Sequence, residues 1–152
     1  LYEPHKIQRF YDLYVIIALK VEYTCNSPEE ALYKILFYED DDGNKPVERF
    51  IDDLDAAARN NKDARVQLEQ IIYCLNRLED KGTRAGEKFT KRISGDIWEV
   101  RPGKNRILFF GWNEDHFILL HHFLKTTQKT PPREIAVAER RMKNWCSRMR
   151  KE

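Results

Sequence analysis

The chain has no long apolar run. Its longest uncharged apolar stretch, Leu13 to Leu19, is far short of the ~20 residues that a spanning helix needs. It also lacks the small-residue cleavage site of a secretory leader, so a cytoplasmic protein without a membrane partner is expected. Cysteine is scarce: Cys25, Cys74 and Cys146 are odd in number and far apart. That spacing fits neither a zinc motif nor a disulfide framework and favours a reducing compartment. Glycine-rich phosphate loops, nucleophile elbows and metal-ligand clusters are all missing from the sequence, so no metal or cofactor is expected. No methionine precedes Met142, which suggests a fragment or a non-standard start.

What is present is enough for one domain with a real core, since 152 residues are too few for two comfortable ones. The 41% hydrophobic and 34% charged fractions exclude a disordered chain. A formal net charge of +2 conceals an uneven distribution. Glu39 to Asp55 is acid-rich, whereas from Lys125 onward Lys129, Arg133, Arg140, Arg141, Lys143, Arg148 and Arg150 outnumber the acids. Such polarity suits a basic face for phosphates, and equally two solvated helix faces.

Residues 1–30 are the least legible and read as an N-terminal extension, with His5 to Val21 a helix or a strand. The domain proper is assigned to residues 31–152. Leu32 to Tyr38 reads as a strand closed by an acidic turn. Asn44-Lys45-Pro46 starts a helix whose apolar stripe is Val47, Phe50, Ile51 and Leu54. After a break near Asn60-Asn61, a longer helix carries Ala64, Leu68, Ile71, Ile72, Leu75 and Leu78 and ends at Lys81-Gly82. Two such helices with a short connection form a hairpin.

A polar loop, Thr83 to Lys88, leads to three strands, Asp96–Arg101, Arg106–Trp112 and His116–Leu124. Ile97, Glu99 and Arg101 alternate with Trp98 and Val100, giving one wetter face. In Arg106–Trp112 both alternating sets are apolar, the pattern of a central strand covered on both sides. The last helix is expected to begin with Thr130 as N-cap and Pro131 at its first position. Ile135, Ala138, Met142, Trp145 and Met149 form its apolar stripe. The order predicts an α+β fold: an N-terminal helical hairpin packed on a small, mainly antiparallel sheet with a C-terminal helix, one sheet face partly open.

Arg101 and Arg106 flank one hairpin turn, and guanidinium groups offer forked donors to phosphate oxygens. Lys125 and Lys129 reach the same end of the sheet only if the turn after the last strand folds back. Trp98, Trp112 and Phe123 lie among these cations, a mixture that suits single-stranded RNA. The same rings fit a core, and the same cations a solvated sheet end. His121 and His122 are adjacent on a strand and must point to opposite faces. One of them could move a proton near neutral pH, although a lone strand-end histidine is more often structural.

Four segments together resemble the RelE/ParE toxin superfamily of type II toxin–antitoxin systems, and within it the phage-derived HigB-like subfamily. They are FYEDDDGNKPVERFIDDL at Phe37–Leu54, KRISGDIWEVR at Lys91–Arg101, RILFFGW at Arg106–Trp112 and ILLHHFLKTTQKTPPREIAVAERR at Ile118–Arg141. The resemblance runs from Tyr33 to Trp145. It implies a RelE-like fold and a ribosome-dependent mRNA endonuclease that cuts without metal through 2′-hydroxyl attack. The partners it implies are the ribosome, mRNA and a cognate antitoxin, often a helix-turn-helix protein. On matching positions it points to Arg101, Arg106, His121, Lys125 and Lys129, with Lys91 at the loop before the sheet. Arg101, Arg106, His121 and Lys125 are expected to be catalytic, and Lys91 and Lys129, together with Trp98 and Arg133, to bind RNA. Two departures stand out: Thr126 replaces the second of a usual lysine pair, and His122 occupies a position where a small residue is usual. The alternatives kept open are a non-catalytic, gyrase-binding inhibitor and an inactive phage-derived interaction module.

Overall fold

A computed structural model describes residues 32–150. The expectations for residues 1–30, and Cys25 with them, lie outside the described residues. Five strands form one sheet: β1 (Lys34–Phe37), β2 (Thr90–Ser94), β3 (Ile97–Val100), β4 (Asn105–Trp112) and β5 (His116–Leu124). Their spatial order is β1-β5-β4-β3-β2, with β1 parallel to β5 and every other pair antiparallel. Among the described residues three α-helices accompany them: α1 (Pro46–Ala58), α2 (Lys62–Lys81) and α3 (Pro132–Met149). The fold is α+β as expected, except that the helical pair follows the first strand and so is not strictly N-terminal.

β4 lies in the middle of the sheet, where its two apolar faces require it. Ile107, Leu108 and Phe109 are fully buried and Phe110 nearly so. The α1–α2 hairpin covers one face, burying Val47, Ile51, Leu68, Ile71, Leu75 and Leu78. Asn61 caps α2 by accepting from the Ala64 amide (3.1 Å), satisfying a donor that the helix start leaves open.

The second face is not open, which corrects the expectation from element order. Ala138 and Trp145 of α3 pack with Leu108, Phe110, Ile118 and Leu120, and Met142 and Met149 extend the same seam. Apolar residues on both faces of β4 leave no other stable arrangement.

Two boundaries also differ from the sequence reading. Thr90–Ser94 is a strand and not part of a loop, so Lys91 sits within the sheet. Its sequence, TKRIS, has little apolar alternation because it is an edge strand, where charged side chains discourage further pairing. The last helix starts one residue late, with Pro131 as N-cap and Pro132 in the first turn. Thr130 is thereby released for another contact.

The acidic stretch after β1 and the basic C-terminal helix meet in the fold. Arg148 lies 3.6 Å from the Asp41 carboxylate and donates to the carbonyls of Glu39 and Asp40. Tyr38 donates its hydroxyl to Asn144 Oδ1 at 2.9 Å, and the Arg141 and Arg148 guanidinium carbons each lie 5.8 Å from its ring centre. Among the described residues, no helix is long and apolar enough to cross a membrane.

Candidate functional site

The β3–β4 hairpin and the segment after β5 build a cleft on the α3 side of the sheet. The turn between β3 and β4 needs Gly103, whose φ is +58° and where a Cβ would lie 2.3 Å from Gln70 Oε1. Register places Glu99 opposite Leu108 and Arg106 opposite Phe123. Strand alternation then puts Glu99, Arg101, Arg106 and Phe123 on one face. The chain after β5 does fold back: the Lys125 amide donates to Lys104 O at 2.9 Å. The resulting cleft is lined by Glu99, Arg101, Arg106, Phe123 and the run from Lys125 to Thr130.

Glu99 is the hub of this cleft. Its Oε1 lies 3.4 Å from Nε of both Arg101 and Arg106, and its Oε2 accepts the Thr130 hydroxyl at 2.7 Å. The carboxylate is only 3% exposed and the Arg106 side chain 8%. Arg106 also donates to the carbonyls of Gly103 (2.7 Å) and Asn105 (2.8 Å). Burial lowers its proton affinity, and Glu99 counteracts that. A guanidinium held this way clasps the hairpin from inside, with little of it left for a ligand.

The other cations are differently placed. Arg101 is one quarter exposed and donates to Glu87 O at 3.1 Å. Lys125 and Lys129 are exposed on the rim and form no ion pair among the described residues. Lys91 pairs in register with Glu99 and is exposed, so it shares the cleft's face. Arg133 stands in the first turn of α3, its side chain 80% exposed and its Nε 3.3 Å from Glu134. Trp98 alternates to the opposite face and does not line the cleft.

His121 is on the same sheet face but outside the cleft, with its ring centre 6.0 Å from that of Phe123. Its Nε2 is bonded to the Glu134 carboxylate, and Arg141 approaches its Nδ1 at 3.2 Å. Guanidinium groups only donate, so Nδ1 accepts and the neutral ring carries its proton on Nε2. Burial disfavours a second proton, Glu134 favours it and Arg141 opposes it, with a net downward shift.

His122 points the other way, as adjacent strand residues must. Its ring stacks on Phe50 with centroids 3.4 Å apart, and its Nε2 lies 2.9 Å from Asn105 Oδ1. Burial depresses its pKa to about 4. A histidine depressed in the native state supports folding above its unfolded pKa, ~6.5. That contribution disappears as pH falls through about 4. Urea titrations should therefore show wild type losing about 2–3 kcal/mol more than His122→Phe between pH 7 and pH 4. Equal losses in the two proteins would contradict this assignment.

Sequence reasoning missed Glu99, Thr130, Glu134 and Arg141. The available signal for Glu99 was its position two residues before Arg101 on a strand, which places both on one face. Among the described residues, no group of three or more histidines, cysteines or carboxylates could hold a metal ion.

Comparison with protein families finds a match between residues 49–143 and the family model described as "Phage derived protein Gp49-like (DUF891)". The matched span runs from α1 into α3 and contains every residue of the cleft. No curated protein matches the chain.

Proposed function

The chain belongs to the phage-derived Gp49-like family, and from that premise we propose that it is the toxin of a type II toxin–antitoxin system, a ribosome-dependent mRNA endonuclease. The observation that carries this reading is the convergence of Arg101, Lys125 and Lys129 on one cleft, with both lysines free of internal carboxylates among the described residues. Cations gathered around a cleft suit the charge that develops on a phosphodiester in transit to cleavage.

In this reading the substrate's own 2′-oxygen attacks the adjacent phosphorus as the phosphorus–O5′ bond breaks. The products are a 2′,3′-cyclic phosphate and a 5′-hydroxyl. The 2′-hydroxyl proton leaves to solvent, and the departing 5′ oxygen takes a proton from Lys125. Lys125 is preferred to His121 because it lines the cleft, whereas both His121 nitrogens are engaged by Glu134 and Arg141. Arg101 and Lys129 bear on the non-bridging oxygens. Arg106 acts indirectly by fixing Glu99 and the hairpin. Lys91 and Arg133 contact flanking phosphates, and the cognate antitoxin blocks access to the cleft.

The test is induction of the chain without antitoxin, followed by mapping of transcript 5′ ends. New 5′-hydroxyl ends within translated regions, absent when Lys125 and Lys129 are both alanine, are expected. Growth arrest with intact transcripts and DNA-damage signalling would instead identify a non-catalytic inhibitor. Full survival at high expression would identify an interaction module.

A further inference from the structure

The outward face of α3 carries cations without acids. Its exposed positions are Pro132, Arg133, Ala136, Arg140, Lys143, Ser147 and, just beyond the last turn, Arg150. At 100° per residue these fall on one narrow stripe. Both acids of the helix are instead half-buried and engaged, Glu134 with His121 and Glu139 with the Ser94 hydroxyl. The helix's inward cations, Arg141 and Arg148, are held by Leu120 O and by Asp41. Sorting of this kind is not what a merely solvated helix face shows, since exposed faces gain from opposite charges three or four residues apart. Arg140 and Lys143 make no ion pair among the described residues. The stripe also begins close to the cleft in sequence, because Arg133 lies three residues beyond the cleft-lining Thr130.

We propose that the outward stripe of α3 is a docking track for the phosphate backbone of the RNA strand that continues out of the cleft. Resting on the reading above, it adds a second contact region that binds RNA without cutting it. A helix of this length offers about 27 Å of track, long enough for several phosphates beyond those in the cleft. Occupation is electrostatic and independent of sequence, so it raises affinity and leaves the chemical step alone.

The experiment uses the full chain and two non-cleavable 2′-O-methyl oligonucleotides, one of three nucleotides and one of twelve. Wild type is expected to bind the longer strand at least tenfold more tightly. In Arg140→Ser/Lys143→Ser that advantage should fall to about threefold or less, with the salt slope of log affinity smaller by about 1.4. Affinity for the three-nucleotide strand and the thermal midpoint should not change. Equal affinity of wild type for both lengths would overturn the track while leaving the cleft reading intact. Failure to bind either strand would also overturn the track, whereas ribosome-dependent cleavage would still be judged by the transcript ends. Equally tight binding of polyglutamate, lost in the same variant, would assign the stripe to an acidic protein and also overturn the proposal.

Discussion

Glu99→Ala is expected to lower the unfolding free energy by about 3–5 kcal/mol, the usual cost of removing one partner from a buried ion pair. The reason is the company that Glu99 keeps. Arg106 is buried beside it and cannot shed its charge, so the variant leaves a guanidinium with no anionic partner inside the fold. Thr130 loses its acceptor in the same step, which frees the segment after β5. Glu99→Gln keeps a hydrogen-bond acceptor for Thr130 and should cost less. Arg106→Ala should be similarly harmful, and the double variant less harmful than the sum, with coupling of about 1–3 kcal/mol. Urea denaturation of the four proteins checks this, and strict additivity would refute a direct pair. Because Arg106 is structural in this way, its alanine variant is a poor probe of chemistry.

Lys125→Ala is the cleaner probe, with cleavage of ribosome-bound mRNA expected to slow by about 10²–10³, the scale for losing one donor that meets developing charge. Lys125 is exposed and unpaired among the described residues, so stability should change by no more than about 0.5 kcal/mol. Single-turnover cleavage and a melting curve on the same preparation separate the two effects. A rate within a few-fold of wild type would remove Lys125 from the chemistry. His121→Ala offers the contrast: its loss should be felt at the Glu134–Arg141 contacts of α3 before it is felt in the rate.

Elements whose side chains alternate or repeat cleanly were legible in the sequence. Leu108 and Phe110 against Ile107 and Phe109 identified β4 as central and covered twice, and the structure places it so. The same observation should have closed the second sheet face, since an apolar face of β4 needs a partner and the stripe of α3 was the remaining candidate. β2 escaped because an edge strand has little reason to alternate. The gathering of Arg101, Arg106, Lys125 and Lys129 was readable from hairpin and turn chemistry. Their bonding was not, because Glu99 acts through partners on three separate segments and sequence spacing shows only one of them. The split of His121 and His122 followed from strand geometry alone, yet their partners Glu134, Arg141, Phe50 and Asn105 depend on tertiary packing.

The parallel pairing of β1 with β5 has a kinetic consequence. Lys34 meets His116 across about two thirds of the domain's length, so loop closure must precede any reward from that contact. The β2–β5 meander and the α1–α2 hairpin involve near neighbours and can assemble early. Docking of β1 is then a late event that awaits synthesis of β5, so a chain whose β5 has not yet left the ribosome cannot complete the sheet that supports its cleft.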